Sequence, residues 1–282
     1  MHSDIAACSS SSALNEYLRR LGCAPAVLVS VEQTEGSAPR EAGAWMAVFA
    51  DARVGTIGGG HVEFDAMARA RAMLTEPAAF EGNAVHRYAL GPSLGQCCGG
   101  VMHLRFERVC AADEPALAAR LSAAACARAQ PVALFGGGHV GHALVQVLAK
   151  LPFSLTWIDS RDGVFPAPLP PGVACEHSDP VQAAVADVAP GALVLIMSFS
   201  HAEDLDVVAA CLLRQRAQGD LPYVGLIGSK TKWATFRRRL QARGFTAAEL
   251  AHVTSPIGVP GITGKEPEVI AVAVAAQLLQ AR

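Results

Sequence analysis

The chain has 282 residues, 51% of them hydrophobic and 17% charged, a balance that buries a sizeable core and leaves length for two domains. A formal net charge of −2 and a sequence pI near 6.5 argue against nucleic acid or an anionic membrane as a partner. No apolar run reaches the roughly 20 residues that span a bilayer, and the opening MHSDIAACSSSS lacks the basic and apolar regions of a signal peptide, so a cytoplasmic location is expected.

After this Ser-rich start, Leu14, Leu18 and Leu21 give a short helix its apolar stripe, and Gly22 supplies a stop signal. A strand is predicted from Ala26 to Thr34. The segment EGSAPREAGAWM reads as a loop before a second strand, Trp45–Phe49, and a third follows at Val54–Ile57. Gly58, Gly59 and Gly60 then lead into a helix from about His61 to Leu74. This strand, glycine turn and helix is read equally well as tight packing or as a ligand site, with Gly59, Gly60 and His61 as its candidate residues; Glu63 is a further candidate, and Arg40, in the preceding loop, is a candidate phosphate ligand or a surface residue.

Arg87–Leu90 and Val101–Val109 read as strands on either side of GPSLGQCCGG. Four glycines and a proline around two thiols are an odd investment for packing alone. Glycine-rich backbone forms anion-binding concavities, and thiolates are soft metal ligands. Because successive side chains of an extended segment point opposite ways, one of Cys97 and Cys98 is expected to face a site while the other packs behind it. In a reducing compartment all eight cysteines are expected as free thiols, with about five or six of them serving as small buried apolar residues.

The Ala-rich stretch from Ala111 to Gln130 reads as a connecting helix. It divides an N-terminal domain, 1–112, from a C-terminal one, 131–282, with 113–130 as the linker. The C-terminal domain opens on the sharpest signal in the chain. Val132–Phe135 is a buried strand, and Val140, Leu144, Val147 and Leu148 fall on one side of a helix. Between them, Gly136, Gly138 and Gly141 form G-x-G-x-x-G. Here the first glycine permits the bend, the second lets a phosphate approach the backbone, and the third lets the helix sit close. The free N–H groups of the helix start would face that phosphate. A second strand, Phe153–Ile158, ends in Asp159, where a dinucleotide fold places its ribose-binding acid. Arg161 is a candidate phosphate ligand, and His139 and His142, beside the glycines, are candidate hydrogen-bonding imidazoles.

A Pro-rich loop follows at Pro166–Gly172, then a helix from Pro180 to Val188 and a buried strand, Leu193–Met197. Ser200 and Glu203 form a capping box that starts a helix running to Arg216, and Thr246 with Glu249 forms a second. Between them lie a strand, Val224–Ile227, and a helix, Trp233–Arg243, whose Arg237–Arg239 run is read as a solvated face. The chain closes on a strongly apolar helix expected as core or as a subunit contact. The fold expected is α/β: a C-terminal Rossmann-like, doubly wound parallel sheet, plus a smaller N-terminal α+β domain with a mixed sheet.

Taken in order, GSAPREAGAWM, GTIGGGHVE, LGPSLGQCCGG, FGGGHVGHAL, IDSR, LIGSKTK and GITGKEPEVIAVAVAAQLL resemble the XdhC/CoxI family of xanthine dehydrogenase accessory proteins over nearly the whole chain. The resemblance implies a chaperone without turnover of its own. Such a protein binds the molybdenum cofactor (molybdopterin), protects it while a cysteine desulfurase supplies its sulfido ligand, and inserts it into the molybdenum subunit of apo-xanthine dehydrogenase. Carried over by residue, Cys97 and Cys98 are the candidate metal-side thiols and Gly136, Gly138 and Gly141 the phosphate loop. A homodimer and a releasing site between the two domains are expected as well. An NAD(P)-dependent oxidoreductase and a thiol redox sensor are the alternatives.

Overall fold

The computed structural model describes residues 12–76, 84–91 and 99–282. The described residues divide into two compact units, those up to 125 in one and 126–282 in the other.

The N-terminal unit contains α1 (Ser12–Leu21), β1 (Ala26–Glu35), β2 (Trp45–Val48), β3 (Arg53–Gly55), α2 (Gly60–Thr75), β4 (Val85–Ala89), β5 (Val101–Val109) and most of α3 (Glu114–Arg128). Its five strands form one sheet in the order β3-β2-β1-β5-β4. Neighbouring strands run antiparallel at all four pairings, so the expected mixed sheet is antiparallel throughout the described residues. Antiparallel neighbours need no crossover helix between them. The central strand shows the period of 2 that a two-sided burial demands. Val27, Val29 and Val31 pack with Val62, Ala66 and Met73 of α2 on one face, and Ala26 and Leu28 pack with Leu14, Tyr17 and Leu21 of α1 on the other.

The second unit contains β6 (Gln130–Phe135), α4 (His139–Leu148), β7 (Phe153–Asp159), β8 (Val173–His177), β9 (Leu193–Ile196), α5 (His201–Gln218), β10 (Tyr223–Leu226), α6 (Lys230–Ala242), α7 (Ala247–Leu250), β11 (Val253–Thr254) and α8 (Pro267–Ala281). The sheet order is β11-β10-β9-β6-β7-β8, parallel at every pair. Counted from β6, this is the doubly wound order 3-2-1-4-5-6 of a Rossmann unit, with its switch point between β6 and β9. Leu134, Leu155 and Leu195 meet α4 and α8 on one face, while Phe135, Val194 and Val224 meet α5 and α6 on the other. Helix α8 is therefore core, with Ala271, Val274 and Leu278 buried. The segment predicted as a helix from Pro180 is a 3-10 turn, Val181–Ala186. Both capping boxes form, at Ser200/Glu203 and at Thr246/Glu249.

Two expectations about cysteine do not hold. Cys23 and Cys110 are exposed rather than packed, leaving Cys211 as the one buried free thiol among the described residues. Cys126 is disulfide-bonded rather than free. No described helix is long and apolar enough to cross a membrane.

Candidate functional site

The G-x-G-x-x-G turn lies at the switch point, and its three glycines have different reasons to be glycine. Gly136 stands at φ +121°, a conformation closed to most side chains. A Cβ there would overlap the carbonyl oxygen of Met197 at the end of β9. At Gly141 a Cβ would overlap the carbonyl oxygen of Gly136, so this glycine brings α4 down onto the turn. Gly138, the N-cap of α4, is exposed in extended backbone, and a Cβ on it meets nothing within 4 Å. Packing thus explains the first and third glycines and leaves the middle one open at the start of a helix, where unpaired N–H groups favour an anion.

Asp159, at the end of β7, is 2% exposed and holds this turn from the side. Its Oδ2 accepts the Gly137 N–H at 2.6 Å and Arg161 Nη2–H at 2.9 Å, and its Oδ1 accepts the Arg161 backbone N–H and Nε–H, each at 2.9 Å. Burial pushes the carboxyl pKa up, but the Arg161 guanidinium and the Gly137 and Arg161 N–H groups outweigh it and hold it below its ordinary value. The guanidinium lies 4.6 Å from the ring centroid of Phe199, which is 68% exposed. Of the histidines, His142 packs edge-on against Trp157 with its Nδ1 3.1 Å from the Gly138 carbonyl oxygen, a structural role. His139 is exposed beside Gly138.

In the N-terminal unit the second glycine turn is assembled with two other motifs. A Cβ on Gly58 would lie 2.7 Å from Pro39 Cβ and 3.2 Å from Arg40 Cγ, so the Ser37–Arg40 loop rests on the turn and brings Arg40 to it. A Cβ on Gly100 would overlap the carbonyl oxygens of Glu35 and Ser37, which sets the end of the thiol loop against the same segment. Cys97 and Cys98 lie outside the described residues. Among those described, no group of three or more His, Cys, Asp or Glu side chains is arranged to hold a metal.

This turn carries its own carboxylate. Glu63, 6% exposed on α2, has its Oε2 accepting from Thr56 Oγ1 at 2.5 Å and from the Ile57 and Gly59 N–H groups at 3.0 Å, with Arg53 Nη1 at 3.3 Å from Oε1. Burial raises its pKa, and these donors together with Arg53 more than reverse the effect, leaving it below the ordinary range. Gly59, proposed from sequence as a ligand contact, donates its N–H inside the protein. Gly60 and His61 are exposed on the rim, and His61 has Phe64 at 6.5 Å between rings.

Three features escaped the sequence reading. Phe199 sits between two serines just past β9, and its signal was a lone aromatic following an apolar strand at a switch point. The Ser198 hydroxyl beside it is buried with no partner. The third is a buried pair, Lys232–Asp204, at 2.6 Å. Asp204 Oδ1 accepts the Ser198 N–H at 2.7 Å and Lys232 Nζ donates to the Ile227 carbonyl at 2.8 Å, which ties together the loops after β9 and β10. Burial raises the Asp204 pKa even against Lys232 and the Ser198 N–H.

Comparison with known proteins gives the following. A family model described as the XdhC Rossmann domain matches residues 132–278, and one described as the XdhC and CoxI family matches residues 23–88. The chain is 30% identical over 264 residues to a protein of Escherichia coli strain K12 called "Uncharacterized protein YqeB", covering 92% of this chain and 44% of that protein. It thus spans less than half the length of that curated relative. A Bacillus halodurans crystal structure described as a xanthine dehydrogenase superposes with a TM-score of 0.70 at 22% identity, covering 96% of each chain, a likeness of fold.

Proposed function

The chain belongs to the XdhC and CoxI family, and from that premise we propose that it is a cytoplasmic accessory protein, a homodimer without turnover of its own, that carries the molybdenum cofactor. It shelters the cofactor while a cysteine desulfurase supplies the sulfido ligand, and then inserts it into the molybdenum subunit of a xanthine dehydrogenase.

The observation that carries this reading is Gly138. Its neighbours in the fingerprint are sterically committed, yet its own backbone is exposed at the helix start with no group within 4 Å of a Cβ. Molybdopterin ends in a phosphate, and an exposed glycine at a helix N-terminus takes a phosphate through backbone N–H groups without a resident cation. His139 adds a side-chain donor beside it. In the N-terminal unit Arg40, Gly60 and His61 form a rim suited to polar groups of the cargo, and a thiolate of Cys97 or Cys98 suits a soft, sulfur-bound metal. Loop and backbone contacts of this kind hold cargo without enclosing it, as a delivery protein requires.

The test is co-expression with cofactor biosynthesis, followed by molybdenum and pterin analysis of the purified protein and transfer to apo-xanthine dehydrogenase. The reading expects both components to copurify and activity to be restored. Replacing Cys97 and Cys98 with serine is expected to lower molybdenum content in a folded protein; unchanged content would refute the thiol assignment.

A further inference from the structure

The fingerprint reserves the acid at the end of the second strand for a ribose hydroxyl, and the surroundings of Asp159 leave it nothing to offer one. An ionised carboxylate has about four lone-pair sites. In this chain, Gly137 N, Arg161 N, Arg161 Nε and Arg161 Nη2 donate to Asp159, two to each oxygen, at 2.6 to 2.9 Å. The Asp159 side chain is 1% exposed, while that of Arg161, bonded to it through both oxygens, is 36% exposed. Phe199 in turn lies over the guanidinium at 4.6 Å. A ribose diol arriving here would have to displace a bidentate guanidinium–carboxylate pair, in which both partners are charged, with hydroxyl bonds in which only the acceptor is.

We infer that Arg161 is a specificity-determining positioning residue: by occupying Asp159 it withdraws the ribose-reading acid, and it fits the Rossmann turn to phosphate esters whose recognition needs no ribose diol. The inference deepens the function proposed above and rests on the Gly136–Gly138 turn being a ligand site. Arg161 touches no ligand in this scheme and acts through Asp159. Truncating it vacates two of the four acceptor positions while the two backbone donors, from Gly137 and residue 161, remain to hold the turn.

The experiment is a titration of the full chain with NADH, followed by nucleotide fluorescence, for the wild type, Arg161→Ala, Arg161→Lys, Asp159→Asn and the double variant Arg161→Ala/Asp159→Asn. Weak binding is expected in the wild type and binding tighter by about 10-fold in Arg161→Ala, the order of one hydrogen bond to a charged group. Arg161→Lys, with a point charge in place of the fork, is expected to fall between them and serves if the alanine variant does not fold. The double variant is expected to lose the gain, which mere loosening of the loop would not cause. Tight NADH binding by the wild type that Asp159→Asn abolishes would overturn the inference, as would a gain that survives in the double variant. An empty wild type in the co-expression assay would instead count against the cargo, since that assay does not depend on Asp159.

Discussion

At the Gly58–Gly60 turn the carboxylate that fills the glycine backbone comes from the helix the turn introduces, whereas at the Gly136–Gly138 turn it comes from the neighbouring strand. Glu63 reaches back from α2 to take the Ile57 and Gly59 N–H groups and the Thr56 hydroxyl. It sits where an external anion would, and the helix supplies its own counter-charge. Asp159 approaches from β7 and takes only Gly137, leaving Gly138 and the start of α4 open. Each carboxylate is paired with an arginine, Arg53 or Arg161. The same parts thus make one turn that is satisfied internally and one that still has donors for a phosphate. A glycine run between strand and helix is not in itself a site; what matters is whether the protein's own carboxylate has already used its N–H groups.

The contrast predicts a graded series of effects. The largest belongs to Gly136→Ala, which combines a left-handed φ with overlap on Met197 and is expected to destabilise the Rossmann unit by about 3 kcal/mol or more in urea unfolding. Retained stability would mean that the turn relaxes freely. Next comes Glu63→Ala, which leaves the buried N–H of Ile57 and the half-buried N–H of Gly59 without their acceptor, at about 2 kcal/mol. If the first turn were an open anion site, this variant would instead fold well and bind phosphate more tightly.

Acid should act on both turns. Glu63 and Asp159 have folded pKa values below their unfolded ones, so the unfolded chain binds protons more readily. The stability they supply is complete above the unfolded carboxylate value, about 4, and is lost as pH falls through the lower folded values. Glu63→Gln is expected to flatten that part of the acid-unfolding profile, and an unchanged profile would deny Glu63 its role. The smallest stability effect is expected for Phe199→Ala. The ring is exposed, so its loss should shift stability within about 0.5 kcal/mol.

Much of this was legible in the sequence where the determinant is local. The capping boxes at Ser200 and Thr246 involve residues three apart, and both formed. Gly136 and Gly141 serve the bend and the close approach that their spacing announced. Strand β8 went unseen because its residues are half-exposed and follow a proline-rich loop, giving neither an apolar run nor an alternation. Strand β11 is only two residues long. The candidate site was legible as a set of positions but not as a set of occupied bonds. Asp159 was found where a dinucleotide fold would put it, yet nothing in IDSR tells that Arg161 folds back to fill both its oxygens. The Lys232–Asp204 tie and the stack of Phe199 on Arg161 join residues 28 and 38 apart in the chain, brought together only by the order in which the strands pair.

The central claim, that the open middle glycine is where the cargo's phosphate rests, is tested most directly by Gly138→Val. The extended backbone at this position, φ −80° and ψ −177°, accommodates a branched side chain. Molybdenum and pterin per folded chain should be measured in wild type and variant after co-expression with cofactor biosynthesis. The account predicts a loaded wild type and a nearly empty variant that remains folded, with a loss of stability no greater than that of an N-cap glycine, about 1 kcal/mol. Equal loading of the two proteins would contradict it.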